Sequence, residues 1–214
     1  MRSQPTLACG ELKMGAGIQT VIQRDEYDDT IRRIPPGKMA IWWFLASEIM
    51  VFGGLITAFV LFSFASHGAF GADTKHVQWR LGAINTLVLV TSSLTMILAL
   101  GYARAHNLAR TRLFLLLTVL LGLTFLGIKS IEYTTEIREG FTPATSLFWS
   151  FYFGMTGLHA LHMIAGIIIN SLLLIAALRK QPWEFLQRRL ELGGLYWHFV
   201  DVVWIFLFPL LYLT

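Results

Sequence analysis

The sequence predicts an all-α membrane protein built as a five-transmembrane-helix bundle. Three observations lead there. The 214-residue chain is 55% hydrophobic and 14% charged, with a mean hydropathy of +0.60, too apolar for a soluble domain of this size. Its apolar residues gather into five runs, roughly 38–66, 79–103, 112–134, 145–178 and 191–213, each long enough to cross a hydrocarbon core about 30 Å thick. Its basic residues gather on one side of those runs.

Residues 1–37 are polar, mixed in charge and closed by Pro35-Pro36-Gly37, which reads as a flexible cytoplasmic tail ahead of a 38–214 membrane domain. The single cysteine, Cys9, lies in Leu7-Ala8-Cys9-Gly10. That resembles a lipoprotein cleavage box, but no apolar stretch precedes it. A lone thiol excludes a disulfide framework and any copper centre that needs two cysteines.

Span one carries Glu48 about ten residues inside it, roughly 15 Å deep at about 1.5 Å per residue. Two readings stand: a carboxyl hydrogen-bonded to a neighbouring helix, or a proton-exchanging or lipid-contacting site. Span two offers Asn85, Thr86, Thr91, Ser92, Ser93 and Thr95 for interhelical bonds. Span three ends in KSIEYTTEIREG, where Lys129, Glu132 and Glu136 share a stripe expected near the outer surface as a local ion pair. Span four is longer than a crossing requires, as a tilted or projecting helix is. It holds His159 and His162 three apart on one face, read as interhelical hydrogen-bonding groups, with proton handling or a metal as the other readings. Span five, YWHFVDVVWIFLFPLLY, sets His198 and Asp201 three apart, placed to tie it to span four or span one.

Thirteen Lys and Arg residues fall before span one, between spans two and three, and between spans four and five, against Lys75, Arg80 and Arg138 on the other side. The positive-inside rule then sets the N-terminus in the cytoplasm and the C-terminus outside. The net charge of +4 is a topology signal that calls for no nucleic-acid partner.

FLASEIMVFGG, INTLVLVTSS, KSIEY, FYFGMTGLHALHMIAG and YWHFVDVVWIFLF occur in that order. Together they resemble the signature segments of subunit III of heme-copper respiratory oxidases, over about residues 38–213. The resemblance implies a non-catalytic inner-membrane subunit of a bacterial cytochrome c or quinol oxidase in aerobic respiration, in the short five-helix form. It implies no catalytic, cofactor or metal residue in this chain, heme and copper in partner subunits, and oxidase subunits I and II as partners. Structural phospholipid in a cleft is part of the same expectation, with support of proton uptake and of the catalytic subunit's stability. The family's signature polar positions fall on Glu48, Glu132, His159, His162, Glu191, Trp197, His198 and Asp201, all expected to be buried. Lys129 departs from the neutral polar residue expected at its place.

The residues support an accessory role on their own terms. His67, His76 and His106 lie in or beside loops, and the three remaining histidines are too few for a catalytic heme-copper subunit. A nitric-oxide-reductase-associated relative is an alternative within the family. Two other classes draw on the same side chains: a small transporter or proton channel using Glu48, Asp201 and the histidines, and a membrane metalloenzyme built on His159, His162 and His198. The first is disfavoured by the absence of internal repeats and of a mid-span proline.

Overall fold

A computed structural model describes residues 36–66, 74, 77–179 and 181–212. Nearly all of the 1–37 tail, with Cys9, lies outside the described residues. Five helices follow in order: α1 Pro36–Ala65, α2 Trp79–Arg104, α3 Leu108–Arg138, α4 Leu147–Leu178 and α5 Trp183–Tyr212. All five are long and apolar enough to cross a membrane, and no strand occurs among the described residues. The chain divides into units 1–43 and 44–214, and the contacts below lie within the second.

Helix α5 begins eight residues ahead of the predicted span. Its first two turns, WEFLQRRL, are too polar for lipid, yet Gln, Arg, Glu and Leu are strong helix formers. Leu186 and Leu190, one turn apart, are both buried. Helix α3 also starts earlier than predicted, because Asn107 caps it: its side chain accepts from the Arg110 backbone N–H at 3.2 Å.

The link from α2 to α3 is only Ala105-His106-Asn107. His106 takes a left-handed conformation, φ 55°, in a Schellman closure: Asn107 N–H bonds Tyr102 O at 2.9 Å and His106 N–H bonds Ala103 O at 3.1 Å. Its ring rests edge-on against Trp183 at 4.9 Å. Helix α3 ends in the same motif, with Gly140 at φ 92° and Phe141 N–H bonded to Glu136 O at 3.0 Å. At the basic-loop end, Arg112 donates to Ala177 O of α4 at 2.8 and 3.1 Å, and Gln187 donates to Ala103 O of α2 at 2.9 Å. These side chains add bonds to carbonyls in the last turns of α4 and α2, where intrahelical donors run out.

Helices α2 to α5 form a ring in which α2 packs on α3, α3 on α4, α4 on α5 and α5 back on α2. Buried positions recur at alternating steps of three and four: Gly82, Asn85, Leu89, Ser92, Met96, Ala99 and Ala103 on α2, and Leu186, Leu190, Gly193, Trp197, Val200, Trp204, Leu207 and Leu211 on α5. A mean step of 3.5 is the seam of helices packed at a shallow angle. Helix α1 instead meets the bundle along a thin seam of Leu45, Phe52 and Phe59 at seven-residue intervals, each at most 5% exposed. Phe59 packs on Phe148 and Phe151 of α4.

Trp197 keys the ring together. A Cβ on Gly166 of α4 would stand 2.8 Å from the indole carbons, and so would one on Gly122 of α3. Gly166→Ala is expected to lower stability by about 1–3 kcal/mol, the usual cost of overpacking. Thermal unfolding in detergent measures it, and an unchanged midpoint would mean the indole has room to move.

Candidate functional site

The polar side chains at membrane depth fall into three groups. The largest lies at the end of the bundle away from the basic loops. Lys129 on α3, 2% exposed, donates to Tyr152 Oη of α4 at 2.9 Å and to Tyr212 Oη of α5 at 2.5 Å, and its Nζ stands 3.2 Å from Glu132 Oε2. Both phenols donate to Glu132 Oε1, Tyr152 at 2.7 Å and Tyr212 at 2.6 Å. Tyr152 also lies 3.0 Å from Glu136 Oε1. The ammonium sits over the rings of Tyr133, Tyr152, Trp204 and Tyr212, with centroids 4.7 to 5.6 Å away. Cation, carboxylates and ring faces thus form a charge-assisted network joining three helices.

The local ion pair expected from the sequence is present, Lys129 to Glu132 three residues on, but it is sealed inside the bundle and shared with α4 and α5. Glu132 and Glu136 are 0% and 1% exposed, because positions 125, 129, 132 and 136 continue the inward-facing seam of α3. Tyr152 and Tyr212, which no sequence motif singled out, supply the interhelical links.

The second group joins α1 to α4. His162 Nε2 lies 3.0 Å from Glu48 Oε2, its Nδ1 is 2.9 Å from Leu158 O, and Phe52 packs edge-on against its ring at 5.3 Å. Tyr196 of α5 donates to His162 O at 3.1 Å. Both side chains are part-exposed, 16% for Glu48 and 14% for His162, so this pair is reachable rather than sealed. Glu48→Gln is expected to leave stability within about 1 kcal/mol of wild type, the scale of interhelical polar bonds in membranes, since the amide still reaches His162. Glu48→Leu is expected to lower the midpoint further by freeing α1. Equal unfolding midpoints for the two variants would mean the contact carries no stability.

His159 takes a different course from His162. It is 1% exposed, packs against Phe125 at 5.6 Å and Trp204 at 5.1 Å, and neither ring nitrogen has a hydrogen-bond partner. Interhelical hydrogen bonding therefore holds for His162 and not for His159. Sixty degrees around α4 separates them, enough to aim one into the ring and the other at α1.

The third group ties α5 to α2, not to α4 or α1 as the spacing had suggested. Ser93 Oγ lies 2.7 Å from His198 Nδ1 and beside Asp201, whose oxygens make no bond of good geometry. Trp197 Nε1 donates to Ser92 Oγ and Trp204 Nε1 to Thr86 Oγ1, both at 3.1 Å. Thr95 and Thr118 extend the ladder to α3 through hydroxyls 2.8 Å apart. Glu191 is not buried: its side chain is 29% exposed at the basic-loop end, 3.1 Å from Arg104, where an ion pair contributes about 0–1 kcal/mol. His159, His162 and His198 thus occupy three separate environments, and no three His, Cys, Asp or Glu side chains converge as a metal site among the described residues.

Interior polar contacts of this kind, on helices of spanning length, define a multi-pass membrane bundle whose seams are held by hydrogen bonds, aromatic rings and a buried cation. The family model for cytochrome c oxidase subunit III matches residues 31–214. The chain belongs to that family, subunit III of the heme-copper oxidases. It is 33% identical over 176 residues to a probable quinol oxidase subunit 3 of Staphylococcus haemolyticus (strain JCSC1435), covering 82% of this chain and 88% of the relative. It is 31% identical over the same length and coverage to the protein of the same name in Staphylococcus aureus (strain USA300). As an oxidase subunit it has other oxidase subunits as partners.

Proposed function

We propose that this chain is the non-catalytic third subunit of a proton-pumping heme-copper terminal oxidase that draws electrons from quinol. The observation that carries the choice of donor is the likeness, over 82% of the chain, to proteins named quinol oxidase subunit 3. On this reading heme and copper belong to subunits I and II, and the chain works in the inner membrane of a bacterial cell with its N-terminus cytoplasmic. The distribution of basic residues supports that orientation.

The stand-off of α1 supports a lipid role. Its outward residues Ile49, Met50, Leu61 and Phe64 are 60 to 79% exposed, an apolar surface suited to acyl chains. Glu48 and His162 form a reachable polar pair inside that surface, with the chemistry to exchange a proton with the catalytic subunit's uptake path. The chain thereby sustains proton uptake and steadies its catalytic neighbour.

Oxygen-consumption assays on the complex purified through a tag on this chain test the reading. Heme should co-purify, and a reduced quinol should support turnover where reduced cytochrome c does not. Turnover with cytochrome c alone would transfer the chain to a cytochrome c oxidase, a donor the family's own name favours. Recovery of the chain without heme would remove the oxidase role.

A further inference from the structure

The hydrogens of the buried network around Lys129 can be assigned one by one. An ammonium has three, each phenol has one, and an ionised carboxylate has none. Lys129 directs its three to Tyr152 Oη at 2.9 Å, to Tyr212 Oη at 2.5 Å and toward Glu132 Oε2 at 3.2 Å. Tyr212 directs its hydrogen to Glu132 Oε1 at 2.6 Å, and Tyr152 sends its own to the same atom at 2.7 Å. The two phenol oxygens lie side by side, 3.4 Å apart, with both hydrogens pointing to Glu132.

One contact is left over. Glu136 Oε1 stands 3.0 Å from Tyr152 Oη, at hydrogen-bond distance, with every hydrogen of the lysine and the phenols already placed. A bare carboxylate there would set two anionic oxygens against one phenol with a single hydrogen between them. A hydrogen on Glu136 removes the conflict. The acid donates to Tyr152 Oη, which then accepts from Lys129 and Glu136 and donates to Glu132, its full capacity of one donor and two lone pairs. Glu132, bonded by both phenols and facing the ammonium, is the carboxylate; Glu136, whose Oε2 has no partner, is the acid.

Charge leads to the same assignment independently. Lys129 is the one buried Lys or Arg among the described residues, and Glu132 and Glu136 are buried as deeply. Two ionised carboxylates beside one ammonium would seal a net negative charge inside the bundle, and Glu139 at the end of α3 adds to the repulsion. Arg138, the next cation along the helix, is exposed. An uncompensated buried charge is costly enough that the group neutralises instead.

We propose that Lys129, Glu132, Glu136, Tyr152 and Tyr212 form a binding site for a single proton at the end of the bundle away from the basic loops, held on the Glu136 carboxyl and donated to Tyr152. The bound proton makes the site neutral and completes the hydrogen bonding that joins α3, α4 and α5 there.

Infrared difference spectroscopy on the full-length chain in detergent tests this, with the Glu136→Gln spectrum subtracted from wild type at neutral pH. Wild type should show an additional C=O stretch of a protonated carboxyl, one that moves when the chain is made with isotope-labelled glutamate, while the carboxylate stretches cancel. The amide keeps a donor for Tyr152 and carries no charge, so Glu136→Gln should accumulate in membranes and unfold at the wild-type midpoint. Loss of carboxylate stretches in place of the protonated C=O band would show that Glu136 is ionised, with a cation other than a proton balancing it, and would overturn the proposal. So would a Glu136→Gln chain that fails to accumulate, or one whose midpoint falls as far as that of Lys129→Leu.

Discussion

Replacement of Lys129 by leucine is expected to destabilise the bundle by about 3–5 kcal/mol, the cost of removing one partner from a buried ion pair. Glu132 and Glu136 are 0% and 1% exposed, and no other Lys or Arg side chain is buried among the described residues. Tyr152 and Tyr212, which now take both the ammonium and Glu132 as neighbours, would lose the cation that centres them between three helices. The measurement is thermal unfolding of the detergent-solubilised protein, read beside the amount that accumulates in membranes. Removing the pair together, Lys129→Leu with Glu132→Leu, is expected to restore much of the loss, since well-packed apolar groups commonly substitute for a whole buried pair. A single variant as stable as wild type would show that the ammonium does not hold this end of the bundle.

Truncating Trp197 to alanine is expected to cost a similar amount, about 3–5 kcal/mol, the range for emptying a large aromatic site in a packed interior. Between helices in lipid the hydrophobic drive is weak and close packing dominates, so the indole's fit between Gly122 and Gly166 is the larger part of the loss. The hydrogen bond to Ser92 is the smaller. A double-mutant cycle separates them: Gly166→Ala should be costly beside the native indole and nearly free in the Trp197→Ala background, a coupling above about 0.5 kcal/mol. Additive effects would mean the glycine and the indole do not share one contact.

The helices were legible because a bilayer demands long apolar runs, and few soluble folds imitate them. The errors lie where that signal ends. Residues 183–190 are too polar for lipid but helical, since helix continuity follows backbone propensity and the inward Leu186 and Leu190. Inward and outward faces were harder to tell apart, because lipid and core are equally apolar. The ring interior is marked instead by small and polar residues at steps of three and four, Gly82, Asn85, Ser92, Ala99 and Ala103 on α2 among them. Lys129, Glu132 and Glu136 could be placed on one stripe of α3, but only the positions of α4 and α5 put that stripe inside.

The five apolar runs, the ordered motifs and the lone cysteine were determined by the sequence, and with them the family, since each is a property of the chain read locally. The tertiary structure decided the partners: Glu48 with His162, His159 among aromatic rings, His198 with Ser93, and Asp201 buried beside the same serine. The physical reason is that a polar group three or four residues along a helix has several neighbouring helices within reach. Which one it meets depends on how the seams of different helices mesh, and that is fixed by packing between residues far apart in the chain.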